Sequence, residues 1–211
     1  MVAPDLPPWA VAKRGIDLLA AVLLLLLLMP LLALLALLVA LDSPGPVLFR
    51  QTRQGLRRRP FTVLKFRTMS DGAPADLHRQ YISQLAGEGA APAGALNKLT
   101  ADPRVTRAGR VLRASSLDEL PQLINVVRGE MSLVGPRPAL DYELEHYRPE
   151  HFERFDVRPG ITGLWQVSGG NALGFHEMLE LDSMYARRQG PLLDAAILAR
   201  TPVALVRGRA A

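Results

Sequence analysis

Residues 18–41, LLAAVLLLLLLMPLLALLALLVAL, decide how the rest of the chain is interpreted. They carry no charged or strongly polar side chain, and as an α-helix they would be roughly 36 Å long at 1.5 Å per residue, which is bilayer length. Asp42, Ser43 and Pro44 follow, where a signal peptide would carry a small-residue cleavage site. We therefore predict a retained membrane helix, and its length and leucine density argue against the core helix of a soluble protein.

The charges beside this segment bear on its topology. Lys13 and Arg14 precede it and five arginines follow it between positions 50 and 59, so the positive-inside rule draws both ends toward the cytoplasm. Pro30, near the middle, removes a backbone donor and predicts a kink at Met29 and Pro30. Two topologies remain open at this point: a re-entrant helix that dips into one leaflet, and a single-pass span with a tolerated proline.

Composition sets outer limits on the remainder. The chain has 211 residues, no cysteine, a formal net charge of +5 and a sequence pI near 10.1. One ordinary domain is the expectation, which we divide into an N-terminal region, 1–45, and a catalytic region, 46–211. Disulfides, thiolate catalysis and thiolate metal sites are excluded. The positive charge is compatible with binding of nucleic acid, anionic lipid or phosphorylated substrates, and it does not distinguish among them.

Local patterns predict several elements after the apolar segment. Residues 47–49 and 61–66 read as two short strands around a basic turn, Gly55 to Pro60, which predicts a hairpin. Arginines at 104, 107, 110 and 113 would form a cationic stripe on a helix. A short helical stretch is predicted around Leu77 to Leu85, in a connection without a site.

Two later segments are predicted as helices. Residues 117–127 have a helical apolar face, an expected cap at Ser115 or Ser116 and an expected stop at Gly129. The C-terminal stretch 192–206 is apolar and is expected to be interrupted at Pro202. A position in the membrane interface is the preferred interpretation of that stretch, and ordinary core packing is the alternative.

The candidate chemistry begins with adjacent carboxylates, Asp118 and Glu119. Such a pair at a helix start is commonly only a favourable partner of the helix dipole, but here basic residues are expected to surround it. Two Pro- and Gly-fixed turns, 134–138 and 157–163, each present one guanidinium, Arg137 and Arg158. Rigid guanidinium groups match phosphate oxygens, so the pattern suggests a polyanionic substrate. Taken singly, each turn could equally present its arginine to solvent.

Four longer motifs then become recognisable: Lys65-Phe66-Arg67-Thr68-Met69, residues 116–123 (SLDELPQL), residues 131–138 (MSLVGPRP) and residues 158–163 (RPGITG). Together they closely resemble the bacterial sugar transferase family, the monotopic polyprenyl-phosphate phosphoglycosyl transferases. The resemblance runs from about Lys13 to Arg207. It implies a small α/β catalytic domain with an N-terminal re-entrant membrane helix kinked at Pro30 and interfacial amphipathic helices, at the cytoplasmic face of the bacterial inner membrane.

The same resemblance implies a reaction. Asp118 would attack the β-phosphate of a UDP-sugar, expel UMP and hold the sugar phosphate covalently until undecaprenyl phosphate accepts it. Glu119 would be its dyad partner, and Mg²⁺ is the implied cofactor, with Asp118 as a metal contact. The implied substrate-binding residues are Lys65, Arg67, Arg113, Arg137, Arg158, Asp182 and Tyr185.

The chain departs from the family pattern at two places. Met29-Pro30 stands where relatives often have Ser-Pro, and Gly169-Gly170-Asn171 where they often have Gly-Arg-Asn. A hydroxyl at the helix break and one potential phosphate or sugar contact are therefore missing.

The sequence also allows other functions. A non-catalytic membrane scaffold in a glycan assembly complex is the alternative from another class. Nucleic-acid binding is not expected, because stacking aromatics do not interleave the basic residues. The expected partners are UDP-sugar, undecaprenyl phosphate and membrane lipid. The sugar, the glycan pathway and the oligomeric state, with a homodimer among the alternatives, stay open.

Overall fold

The chain combines helices with short strands. A computed structural model describes residues 8–70 and 104–206; the helix predicted around Leu77 to Leu85 lies outside these ranges. The helices are α1 Pro8–Asp42, α2 Arg107–Ala114, α3 Gln122–Arg128, α4 Leu164–Ser168, α5 Phe175–Arg188 and α6 Pro191–Val206. The strands are β1 Leu48–Gln54, β2 Pro60–Phe66, β3 Ser132–Val134 and β4 Gly160–Thr162.

Helix α1 is a single 35-residue helix that contains Pro30. The portion from Trp9 to Asp42 is long and apolar enough to cross a membrane, and most of its apolar stretch is not buried inside the protein. One side of α1 is nevertheless covered at helical spacing, with Asp17, Ala21, Leu35 and Val39 all buried. Leucines on the other sides are exposed. The helix therefore packs one side, the line of buried residues that we call the seam, against the protein. Its other sides form a broad exposed apolar surface.

Two hydrophobic clusters join the halves of α1 to the same domain. Ala21 packs with residues of β2 and α3, among them Val63 and Leu123. Leu35 and Val39 pack with residues of β2 and α2. Because both halves bury apolar surface against one small domain, the domain lies along the helix and not beyond one end of it.

Polar contacts fix both ends of α1. Near the start, Lys13 Nζ donates to Asp194 Oδ2 of α6 at 2.6 Å. Arg14 donates to the carbonyl of Val126 at 2.6 Å, and so provides a hydrogen-bond donor for a carbonyl group at the C-terminus of α3. Near the end, Asp42 Oδ2 accepts the backbone N–H of Ala108 at 2.9 Å. Helix α1 is thereby held at both ends by elements far away in sequence.

The predicted hairpin is present and is longer than the sequence indicated. Strands β1 and β2 pair antiparallel over seven residues, with Phe49 opposite Lys65 and Arg53 opposite Phe61. At the tip, Arg57 and Arg58 have φ of 53° and 58°, a left-handed conformation that is costly for residues with a Cβ. The hairpin carries Lys65 and Arg53 into the region described below.

The single helix predicted over residues 117–127 is wrong. The structure has a short 3₁₀ turn at Leu117–Glu119 and then helix α3 from Gln122. Ser116 is left-handed, with φ of 54°, and makes no side-chain cap, and Pro121 has no N–H to continue a helical ladder. The stop at Gly129 is confirmed, because this residue ends α3 with φ of 82°.

The two proline- and glycine-rich turns lie next to each other. Strands β3 and β4 pair in parallel, with Ser132 opposite Gly160 and Val134 opposite Thr162. A Cβ on Gly160 would lie 2.1 Å from the backbone nitrogen of Gly135, so only glycine permits this approach. The interruption predicted at Pro202 is wrong, because α6 continues through it to Val206.

Candidate active site

The dyad lies between two helices and directly over α1. Asp118 and Glu119 occupy the 3₁₀ turn that links α2 to α3. The flanking leucines, Leu117 and Leu120, pack against the cluster that contains Leu35 and Val39 of α1. The two carboxylates are therefore fixed beside the second half of the apolar helix, on a turn whose other side chains are anchored in the core.

Asp118 is a desolvated carboxyl group in a cationic setting. Its side chain is partly buried, and burial is the main reason why its pKa rises to about 6. The neighbouring charges act in both directions: Lys65 and Arg113 lower this pKa, and Glu119 raises it. The carboxylate form therefore predominates above about pH 6, and in that form it has lost part of the hydration that makes a carboxylate in water a poor nucleophile.

Glu119 is oriented by Lys65. The Lys65 ammonium donates to Glu119 Oε1 in a close ion pair, and both side chains are about one quarter exposed. Lys65 also lowers the pKa of Asp118, so the two carboxylates share one cation. Lys65, predicted as a substrate-binding residue, thus lies beside the dyad, and its contact with substrate stays a prediction.

Arg113 reaches the same place from α2. Gly109, one turn earlier, lies against Thr68, where a Cβ would be 2.1 Å from the Thr68 carbonyl oxygen. This close approach lets Arg113 Nε donate to Thr68 Oγ1 at 3.0 Å. Since Arg113 also lowers the pKa of Asp118, its guanidinium is part of the electrostatic surroundings of the dyad.

Arg137 belongs to a buried network near Glu119. Its Nη1 lies 3.1 Å from Glu143 Oε1, and its backbone N–H donates to Asp182 Oδ2 at 3.3 Å. Burial alone would lower the pKa of Arg137, but the charge and hydrogen bond of Glu143 outweigh it and the pKa is raised. Glu119 contributes to the same shift, which places Arg137 within electrostatic range of the dyad.

Arg154 holds this network together. Its Nη2 donates at 2.6 Å to both Asp182 Oδ2 and the carbonyl of Arg137, and its Nη1 bonds the Tyr147 hydroxyl. The Arg154 and Asp182 side chains are 1% and 0% exposed. Desolvation raises the pKa of Asp182 to about 6 in spite of Arg154. The role of Asp182 here is to position the backbone of Arg137, which supports the turn that carries the guanidinium.

Sequence reasoning missed Arg53 as a site residue. Its Nε and Nη2 donate to Gln51 Oε1 at 3.0 and 2.7 Å, and its Nη1 donates to the carbonyl of Pro138 at 2.8 Å. Burial, and then repulsion from Arg137, lower its pKa to about 10. Glu143 also lies near enough to raise the pKa of Arg53 in part, and two neighbouring guanidinium groups of this kind are suited to bind an anion. The only sequence signal was its place among five arginines after the membrane segment.

Three other predicted substrate-binding residues have partners elsewhere. Arg67 is buried and donates to the Ser43 carbonyl at 2.5 Å. Arg158 Nε donates to the Gly129 carbonyl at 2.9 Å. The Tyr185 hydroxyl lies 2.7 Å from Asp194 Oδ1. These contacts hold the ends of α1, α3 and α6, and contact of these three residues with substrate stays a prediction.

Comparison with known proteins gives a consistent picture. The bacterial sugar transferase pattern matches residues 9–208. The exopolysaccharide production protein ExoY of Rhizobium meliloti is 41% identical over 204 residues, 96% of this chain and 89% of that protein. The UDP-glucose:undecaprenyl-phosphate glucose-1-phosphate transferase of Caulobacter vibrioides is 49% identical over 163 residues, 74% of this chain and 54% of that protein. An Aeromonas hydrophila UDP-N-acetylgalactosamine-undecaprenyl-phosphate N-acetylgalactosaminephosphotransferase is 38% identical over 205 residues, 92% and 44% of the two chains.

Proposed function

Because the chain belongs to the bacterial sugar transferase family, we propose that it transfers a sugar 1-phosphate from a UDP-sugar to undecaprenyl phosphate. The products are UMP and undecaprenyl-diphosphate-sugar. The observation that carries the proposal is the desolvated Asp118 carboxyl, held among Lys65, Arg113 and Glu119 against an apolar helix of membrane length. Two of the relatives named above are named for different sugars, glucose and N-acetylgalactosamine, so the donor sugar is a matter for measurement.

The proposed reaction has two displacements. A carboxylate oxygen of Asp118 attacks the β-phosphorus of the donor; an O–P bond forms, and the bond from that phosphorus to the bridging oxygen breaks, so UMP leaves with the electron pair. An oxygen of undecaprenyl phosphate then attacks the same phosphorus and releases the Asp118 carboxylate. The ammonium of Lys65 and the guanidinium of Arg113 offset the negative charge that gathers at the phosphorus.

Mg²⁺ is the cofactor we propose for this chemistry. Over residues 8–70 and 104–206, no three His, Asp or Glu side chains meet in an arrangement that could hold a metal by themselves. Magnesium is commonly held by one or two carboxylates together with substrate phosphates, and the Asp118 carboxylate, with Glu119 beside it, fits that pattern. The ion would supply positive charge to the diphosphate.

The membrane placement we propose is re-entrant, with the active site at the cytoplasmic face of the inner membrane. The seam on α1 supports it, because buried residues from Asp17 to Val39 contact one domain along nearly the whole helix. A single-pass span would carry one end of that seam to the opposite side of the bilayer. At the C-terminus, α6 has Leu192, Val203 and Val206 exposed by 87, 51 and 89%, which supports a position in the interface.

The topology can be measured because the chain has no cysteine. We expect Val11→Cys and Arg50→Cys, two exposed positions flanking the apolar stretch, both to resist a membrane-impermeant maleimide in intact spheroplasts and both to react after lysis. The reason is that both flanks would face the cytoplasm. Reaction of either one in intact spheroplasts would establish a single-pass span instead.

The activity itself is tested by UMP release. Purified protein with Mg²⁺ and undecaprenyl phosphate is given UDP-glucose, UDP-galactose, UDP-N-acetylgalactosamine and UDP-N-acetylglucosamine in separate reactions. We expect one or two of these donors to release UMP and to produce a radiolabelled lipid-linked sugar phosphate. Lack of product with every UDP-sugar, from protein that is folded and membrane-inserted, would favour a scaffold role.

Arg53 should affect donor binding. We expect Arg53→Gln to raise the donor KM by about ten- to hundredfold, the value of one hydrogen bond to a charged group, with a smaller change in kcat. The measurement is initial UMP release against donor concentration. Arg59→Gln, at an exposed position of the hairpin tip, is the matched control and should leave KM unchanged. Equal KM values for the Arg53 variant and wild type would remove Arg53 from the site.

A further inference from the structure

Asn125 is a polar residue of α3 that is 0% exposed. Its Oδ1 accepts the backbone N–H of Leu64 at 3.1 Å, and its Nδ2 donates to the Thr62 carbonyl at 2.7 Å. Both partners belong to β2. A buried amide is costly unless its polar atoms are hydrogen-bonded, so the bonds to β2 account for a polar side chain in the middle of this helix.

These two bonds complete the outer edge of β2. The strand pairs with β1 on one side, and on the other side its Thr62 carbonyl and Leu64 N–H meet the amide of Asn125. A C=O and an N–H two residues apart are the groups that a residue of a parallel strand would bond. Apolar contacts between α3 and β2 are non-directional, whereas these bonds allow only one position. Asn125 therefore fixes β2 along α3.

Glu130 sets the orientation of this amide. The second N–H of Nδ2 donates to Glu130 Oε2 at 2.7 Å. If the amide were turned over, its oxygen would face two acceptors, the Glu130 carboxylate and the Thr62 carbonyl. The N–H of Glu130 also donates to the Asn125 carbonyl at 3.0 Å, which holds the carboxylate nearby. A single orientation of the amide therefore satisfies all three of its bonds.

The two elements that Asn125 joins carry the two halves of the site. Lys65 follows Leu64 on β2, and its ammonium forms a close ion pair with Glu119 Oε1. Glu119 lies on the turn that leads into α3. A displacement of β2 along α3 would move the ammonium of Lys65 away from Glu119 and from Asp118, whose pKa it lowers.

We propose that Asn125 is a positioning residue of the active site, whose side-chain amide fixes the place of Lys65 relative to Asp118 and Glu119. Asn125 is buried, and its effect on catalysis passes through the ammonium of Lys65. A misplacement of about 1 Å can cost about a hundredfold in rate. The effect on rate rests on the function proposed above, whereas the effect on the position of Lys65 does not.

A double-mutant cycle measures whether Asn125 acts through Lys65. Asn125→Leu keeps the branched shape of the side chain and removes its three hydrogen bonds. We expect it to lower kcat/KM for UMP release about ten- to hundredfold. In protein that already carries Lys65→Met, the same substitution should lower kcat/KM by less than about threefold further, because the two residues act as one unit.

Val126→Ala is the matched control for a loss of stability. Val126 is the next residue of α3 and is also 0% exposed, so its truncation destabilises the core and leaves the bonds of Asn125 to β2 in place. It should lower the midpoint of denaturant unfolding and keep kcat/KM within about twofold of wild type. Asn125→Ser, whose hydroxyl is too short to bond both groups of β2, replaces the leucine variant if that variant does not fold, with the same expected loss.

The position of Lys65 can be measured without substrate. The chain has three lysines, at positions 13, 65 and 98, so protein with ¹⁵N-labelled lysine gives few ammonium signals in NMR spectra, and Lys65→Met identifies the signal of Lys65. We expect Asn125→Leu to shift that signal toward its position in Glu119→Gln protein, where the ammonium has lost its carboxylate. Val126→Ala should leave the signal in place.

The outcomes separate a positioning role from a structural one. Equal losses of kcat/KM from Asn125→Leu with and without Lys65 would show that Asn125 only supports the fold. An unchanged Lys65 signal in the Asn125 variant would overturn the proposal, as would full activity of Lys65→Met protein. If wild type releases no UMP from any donor, the function proposed above fails, and the Lys65 signal still decides whether Asn125 sets its position.

Discussion

Asp118→Asn protein is expected to release UMP at least about three orders of magnitude more slowly than wild type with the best donor, the scale of loss when a nucleophile is removed. The amide has almost the same volume and has no negative charge with which to attack phosphorus. Intact-mass measurement of wild type with donor but without acceptor should show an added sugar phosphate, and the variant should show none.

The control for this variant is Asp156→Asn, which makes the same chemical change at an exposed position and should keep full activity and the adduct. Unchanged UMP release by Asp118→Asn would contradict the assignment of the nucleophile. An adduct that persists in the variant would locate the covalent chemistry on another residue, and peptide mapping would identify it.

Arg154→Met is expected to lower the free energy of unfolding by about 3–5 kcal/mol, the usual effect of removing one partner of a buried ion pair. Asp182 would keep the N–H of Arg137 at 3.3 Å and lose its charge partner at 2.6 Å. The Tyr147 hydroxyl and the Arg137 carbonyl would lose a donor as well. The measurement is reversible denaturant unfolding in detergent micelles.

The same substitution at an exposed pair provides the comparison. Arg187 is paired with Glu153, with side chains 54 and 43% exposed, and Arg187→Met should cost no more than about 1 kcal/mol. The double variant Arg154→Met/Asp182→Asn should recover part of the loss, because no charge would remain buried without a partner. Equal effects of the two single variants would show that the buried network does not stabilise the fold.

Local signals in the sequence predicted part of this fold well. The apolar length of α1, the hairpin around Gly55 to Pro60 and the end of α3 at Gly129 depend on neighbouring residues, so periodicity and turn chemistry identify them. The break before α3 was missed because Leu120, Leu123, Ile124 and Val127 repeat at helical spacing. That repeat predicted one continuous helix, whereas the missing N–H of Pro121 indicated the break that the structure has.

The candidate site was predictable only for those residues that the sequence motifs suggest and that the fold also brings to the dyad. Lys65, Glu119 and Arg113 lie around Asp118, and contact of Lys65 and Arg113 with substrate stays a prediction. Arg53 and Arg158 show the limit of prediction from local sequence. Both are arginines beside turns, and only the pairing of distant elements determines which of them lies near the site. An isolated antiparallel bridge between Gln54 and Ala139 brings Arg53 beside Arg137. The parallel pair of β3 and β4 lies next to Arg158, whose Nε donates to the Gly129 carbonyl. Neither outcome is encoded in local spacing.

The contact between Lys13 and Asp194 has a consequence for how the chain is made. Its partners are 181 residues apart, so this link can close only after α6 has been synthesised. Until then the start of α1 is held by earlier elements, such as α3, whose Val126 carbonyl accepts a hydrogen bond from Arg14. A product that ended before α6 would leave Lys13 without Asp194, whereas the buried side of α1 would still be covered by β2, α2 and α3.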